Sequence, residues 1–127
     1  MDRYLDTART GPLWLARDEI ASLVAAEFLG CAGIEVHAWV ILANHVHLLF
    51  SGSPEILAKL KGRTASQANI LLSLTGQAFW QAESYDHWVR NEAEFKRIVK
   101  YIEDNPVKAG LVPSADRYRW SSAWSGL

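Results

Sequence analysis

The chain has 127 residues, half of them hydrophobic and 21% charged, with a net charge of −1; this supports one domain with its own core and argues against disorder. Near-neutral charge means that any phosphate-binding surface must be local. The single cysteine, Cys31, rules out an internal disulfide and fits a reducing cytoplasm, and no apolar run approaches the length of a membrane span.

The first ten residues, MDRYLDTART, carry no clear period and read as an N-terminal arm spanning residues 1–11. Ile20, Leu23, Val24 and Phe28 then recur at helical spacing from about Pro12 or Arg17 to Leu29, with Gly30 at the position of a C-terminal cap. Two runs rich in β-branched and aromatic residues follow, 34–42 and 45–51, joined by Ala43 and Asn44. They predict adjacent antiparallel strands with a tight turn. Alternation sends Val46, Leu48 and Phe50 to one face and His45, His47 and Leu49 to the other.

Ser53 and Pro54 suit a helix start, Gly76 a stop, and Leu57, Leu60, Ala68 and Leu71 an apolar stripe between them. Residues 78–89 are aromatic enough for a short strand. Asn91 followed by Glu94 resembles a capping box, and Phe95, Ile98, Val99 and Ile102 form the stripe of a third helix. Pro106 predicts its end near Asn105. Residues 113–127 read as a polar, aromatic C-terminal tail.

An i, i+2 histidine pair on a strand spans roughly 7 Å at the backbone, a gap two imidazoles can close around a divalent ion. A hydrogen-bonded, partly buried pair satisfies the same pattern. On the third helix, Tyr101 and Asn105 lie one turn apart on a flank of the apolar stripe, placed to overhang the histidine face if that stripe packs on the sheet. A boundary tyrosine and a helix-ending asparagine are the plainer alternatives. A phenol beside a metal can attack a phosphorus to form a phosphotyrosine, which is the chemistry of DNA strand cleavage and transfer. Three basic groups, Lys59/Lys61/Arg63, Lys96/Arg97/Lys100 and Arg117/Arg119, are either solvated faces or phosphate contacts.

Three blocks, NHVHLLF, FWQAESYDHWVRNEAEF and YIEDNPVKAGLV, occur in this order and together closely resemble the single-tyrosine HUH transposases, in particular the REP-associated tyrosine transposases and other IS200-like enzymes. The resemblance runs from about residue 12 to residue 124. It implies an α+β, ferredoxin-like antiparallel sheet, expected here with its helices on one face. It also implies a metal-dependent endonuclease and strand transferase that acts on single-stranded DNA beside hairpins. By motif, His45 and His47 would be metal ligands, Asn105 a third, Tyr101 the nucleophile and Mg2+ or Mn2+ the ion. Tyr85 is the rival nucleophile. Lys61, Arg63, Arg90 and Lys100 are the expected DNA contacts; Asp86 suits a structural role and His87 is open.

The sequence departs from the family in two places. Leu42-Ala43-Asn44 stands where relatives commonly have Met-Pro-Asn, and nothing before residue 12 reads as the usual first strand. A missing strand would leave a sticky sheet edge and favour a homodimer. It would also favour an alternative in which the chain is an inactive DNA-binding remnant. A third alternative is a phosphodiesterase that uses water in place of tyrosine.

Overall fold

The computed structural model describes residues 2–7, 14–73 and 84–126. Its elements are β1 (Asp2–Thr7), α1 (Asp18–Leu29), β2 (Ile34–Ile41), β3 (Val46–Gly52), α2 (Pro54–Leu72), β4 (Ser84–Trp88) and α3 (Glu92–Lys108), with single 3-10 turns at Trp14–Ala16 and Ala115–Arg117. The four strands form one antiparallel sheet in the order β2-β3-β1-β4. A β-α-β-β-α-β succession with β1 and β3 in the centre is the arrangement required of the expected ferredoxin-like sheet. No helix among the described residues is long and apolar enough to cross a membrane.

The first strand, expected to be missing, is present and interior. β1 pairs with β3 on one side, Tyr4 opposite Leu49, and with β4 on the other, Tyr4 opposite His87. Its sequence, DRYLDT, is too polar to show a strand period, because two ladders of backbone hydrogen bonds supply what side-chain burial usually signals. The gap that a missing first strand would leave in the sheet is therefore filled.

The helices do not share one face. Val46, Leu48 and Phe50 pack with Ile20, Val24 and Phe28 of α1 and Leu57, Leu60 and Ala68 of α2. On the opposite face Leu49, Ala38, Val40 and Tyr4 pack with Ile102 of α3, flanked by Phe95, Ile98 and Val99. Covering both faces explains why Val46 through Phe50 are all buried, as in any strand enclosed by two layers. An irregularity between Val36 and Ala38 shifts the register of β2. It lets Val36 face the α1 side while Ala38 and Val40 face α3.

Local chemistry sets the ends. Ser53 Oγ accepts the amides of Glu55 and Ile56 at 3.1 and 3.4 Å, starting α2. At Gly52 the φ is 151°, and a Cβ there would lie 2.6 Å from the Gly33 carbonyl oxygen, so only glycine fits where β3 leaves the sheet. α2 ends at Ser73 in the left-handed region, and the anticipated stop at Gly76 lies outside the described residues. Its stripe continues through Thr64, fully buried with its hydroxyl donating to the Leu60 carbonyl at 2.7 Å. Leu71, placed on that stripe by the sequence, is instead 54% exposed, and Leu72 packs on the core.

α3 begins as expected: Asn91 Oδ1 accepts the Glu94 amide at 2.9 Å. The Glu94 carboxylate reaches one residue further back than a capping box would, to the Arg90 amide at 2.9 Å and the Arg90 guanidinium at 3.1 Å. The helix runs past Pro106 to Lys108 instead of stopping at Asn105. A proline this near a C-terminus costs one amide donor in the last turn, and the turn still closes through Ala109 N–H to the Asn105 carbonyl at 2.9 Å. After α3 the chain returns along the outer edge of β2. Ile41 N–H donates to the Trp120 carbonyl at 2.8 Å, Ser122 N–H to the Trp39 carbonyl at 2.9 Å, and the Tyr118 hydroxyl to the Ile41 carbonyl at 2.7 Å. The tail thus covers part of an edge that would otherwise be unpaired.

Candidate active site

The two histidines approach the α3 face from different backbone settings. His45 precedes β3, in a turn closed by Leu42 N–H donating to the His45 carbonyl at 2.8 Å, and His47 lies inside β3. Their ring centroids are 5.0 Å apart at 77°. His45 is half-buried and His47 fully buried.

Each Nδ1 has an oxygen partner. His45 Nδ1 donates to Asn44 Oδ1 at 2.9 Å, and His47 Nδ1 lies 2.6 Å from the Tyr4 hydroxyl. A proton held at Nδ1 leaves the lone pair on Nε2, the nitrogen a metal takes. The Asn105 amide meets His47 Nε2 at 3.5 Å, the long limit of a hydrogen bond. Rotating that amide presents its oxygen at the same point, so one position serves as donor to the bare imidazole or as ligand to a cation.

The Tyr101 ring stands edge-on to His47 of its own chain, with centroids 5.6 Å apart at 82°. α3 brings Tyr101 and Asn105 here because Phe95, Ile98, Val99 and Ile102 seat its stripe on the sheet, as their spacing predicted. Lys108, hidden from the sequence reading by the expected helix end, places Nζ 5.5 Å from the Tyr101 centroid. Tyr101, Asn105 and Lys108 then line one flank at i, i+4 and i+7.

The donor set fits a divalent ion: two imidazoles and one amide oxygen on adjoining elements. Among the described residues no three His, Cys, Asp or Glu side chains cluster around a common point. An ion here would keep open positions for water or phosphate oxygens, and nitrogen donors suit Mn2+ better than Mg2+.

The anticipated DNA contacts are scattered. Arg63 is on α2, on the other side of the sheet, where its guanidinium pairs with Glu27 of α1 at 2.9 Å; half-buried Lys61 lies on the same helix. Arg90 is held by Glu94, and Lys100 pairs with Asp104 on the exposed side of α3 at 2.8 Å. That pairing raises the Lys100 pKa through the Asp104 hydrogen bond. The side chains of Tyr85, Asp86 and His87 lie outside the described residues. The sequence reading passed over three residues of the site: Tyr4, Asn44 and Lys108. Asn44 and Lys108 had a visible signal, their places in the NHVHLLF and YIEDNPVKAGLV blocks.

The chain is similar to known proteins in ways that agree with this geometry. Over 89 residues it is 29% identical to a REP-associated tyrosine transposase of Escherichia coli (strain K12), covering 69% of this chain and 53% of that protein. The chain thus spans about half the length of this curated relative. A solved structure of a REP-associated tyrosine transposase bound to a REP hairpin aligns with a TM-score of 0.74 at 21% identity, covering 95% of this chain and 75% of that one. A second solved structure, from Deinococcus radiodurans R1, aligns with a TM-score of 0.55 at 21% identity, over 82% of this chain and 89% of its own. Both support the fold. Residues 16–105 match the family model described as transposase IS200 like, a span that holds both histidines, Tyr101 and Asn105, and the chain belongs to that family.

Proposed function

We propose that this chain is a metal-dependent single-stranded DNA endonuclease and strand transferase that works through a 5′-phosphotyrosine on Tyr101 at hairpin-associated sites. The observation that carries this reading is the convergence on His47: the His45 ring at 5.0 Å, the Tyr101 ring at 5.6 Å and the Asn105 amide at 3.5 Å, all from one chain. Held by His45, His47 and Asn105, a Mg2+ or Mn2+ ion would polarise the non-bridging oxygens of the scissile phosphodiester.

The chain's own groups supply the rest. Tyr101 Oη forms the new bond to phosphorus and gives up its proton; the bond to the 3′ oxygen breaks, and that oxygen leaves protonated as a free 3′ end. Reversal by a different 3′ hydroxyl transfers the strand and restores the phenol. Lys108, beside the Tyr101 ring, offers positive charge to the same phosphate. The meeting of Tyr101 and His47 within one chain supports a site assembled without a partner's tyrosine, in which a homodimer would serve to hold two DNA ends. The hairpin as substrate rests on the relative whose solved structure holds a REP hairpin.

Labelled single-stranded hairpin DNA incubated with the protein and Mn2+ should give a covalent adduct that survives denaturation and vanishes in Tyr101→Phe. An adduct that persists in that variant moves the nucleophile elsewhere, with Tyr85 next in line. Strand breakage without any adduct supports the hydrolytic alternative. The inactive-remnant reading rests on a missing first strand and on the near-neutral charge. β1 fills the place of the strand, while the charge of −1 stands. Salt-dependent DNA binding without any adduct would favour that reading.

A further inference from the structure

We infer that Tyr4 is a positioning residue for the metal, acting through His47. It lies on β1, two positions from the backbone partner of His47: Asp6 pairs with His47 and Tyr4 with Leu49. Diagonal neighbours of this kind share a sheet face roughly 7–8 Å apart, within reach of an aromatic side chain. Tyr4 spans that gap, its hydroxyl 2.6 Å from His47 Nδ1 and its ring nearly parallel to the imidazole at 5°. Both side chains are buried, at 7% and 0% exposure, so water does not compete for the contact.

The hydrogen-bond arithmetic gives the contact a direction. With the Asn105 amide turned so that its nitrogen, a donor only, faces Nε2, Nε2 accepts and the imidazole proton sits on Nδ1. Nδ1–H then donates to the phenol oxygen, which leaves the Nε2 lone pair aimed at the ion position. A ligand histidine whose second nitrogen is held in this way is fixed in both tautomer and ring angle, and loss of such a partner typically weakens metal binding 10–100-fold. β1, the strand hardest to see in the sequence, thus supplies the partner that aims the buried ligand.

This inference rests on the metal-binding reading, and the test separates the two. Mn2+ alone is titrated into the full chain and followed by the paramagnetic resonance of free Mn2+, for wild type, Tyr4→Phe and Tyr118→Phe. Tyr118 is a control that also loses a hydroxyl hydrogen bond, to the Ile41 carbonyl, away from the ligands. Tyr4→Phe should raise the Mn2+ dissociation constant about 10–100-fold, while Tyr118→Phe should stay within about twofold of wild type, a change too small to carry any metal-positioning role. Should Tyr4→Phe fail to fold, long-range proton–nitrogen spectra of the metal-free wild type decide the matter: His47 should carry its proton on Nδ1, and a proton on Nε2 overturns the inference. Wild-type affinity in a folded Tyr4→Phe chain overturns it alone. Wild type that takes up no Mn2+ overturns the metal reading and this inference with it.

Discussion

Ile102 is the residue through which α3 is seated most deeply, and Ile102→Ala tests that seating. The side chain is fully buried and packs with Leu49, Val40 and Ala38 on the histidine face of the sheet. Truncation to alanine removes three buried carbons, each contributing about 0.8 kcal/mol of transfer free energy, or about 2.4 kcal/mol together. The space left behind adds about 1 kcal/mol if the neighbours relax over roughly half of it. The expected loss is therefore about 3.5 kcal/mol, a large part of the 5–15 kcal/mol typical of a domain. With a urea m-value of about 1.5 kcal/mol per M, the unfolding midpoint should fall by about 2 M. Ile70→Ala is the control: that side chain is 68% exposed, and its midpoint should stay within about 0.3 M. A fall below about 0.5 M for Ile102→Ala would refute the packing argument, because a buried isoleucine in a filled core cannot be truncated so cheaply.

Asn91→Ala removes the acceptor for the Glu94 amide at the start of α3 and should cost about 1 kcal/mol by the same urea assay. Burial raises the Tyr118 pKa. The unfolded chain therefore ionises this phenol first, near pH 10, and stability intact below that value is lost as pH rises toward the folded pKa. Tyr118→Phe should show a shallower decline above about pH 10, and an unchanged slope would count against the burial argument. Lys108→Gln should weaken single-stranded DNA binding and lower the log–log salt slope by about 0.7, the value of one phosphate contact; an identical slope would remove Lys108 from the DNA path.

What could be seen in the sequence depended on whether packing or backbone pairing organised a segment. The alternation in VHLLF separated Val46, Leu48 and Phe50 from His47 and Leu49 correctly because both faces of β3 are packed. The adjacent Leu48, Leu49 and Phe50 are also a signal that both faces are covered, since a half-solvated strand would alternate with polar residues. Period alone says which residues share a face and not what covers each, so it does not reveal that α1 and α2 pack on one face and α3 on the other. β1 gave no signal, because its position is fixed by ladders to β3 and β4 instead of by its own composition. Pro106 gave a misleading one: its steric rule disfavours helix at Asn105, yet packing of the preceding stripe outweighs that preference.

The two-sided sheet explains how histidines can interrupt a core strand. Val46 and Leu48, the neighbours of His47, reach into the larger cluster with α1 and α2, so the backbone that carries the imidazole is held from behind. On the front, Leu49 and Ile102 fill the dry part of the interface, while Tyr101 and Asn105 take the half-buried margin beside the histidines. Burying His47 itself is tolerable because both ring nitrogens have polar neighbours, Tyr4 at Nδ1 and Asn105 at Nε2; an imidazole enclosed by apolar atoms alone would forfeit its hydration without return. The apolar stripe of α3 and the polar flank beside it, with Tyr101 and Asn105, are thus one device. The stripe fixes the helix against the sheet, and the fixed helix sets the distance from Tyr101 to His47.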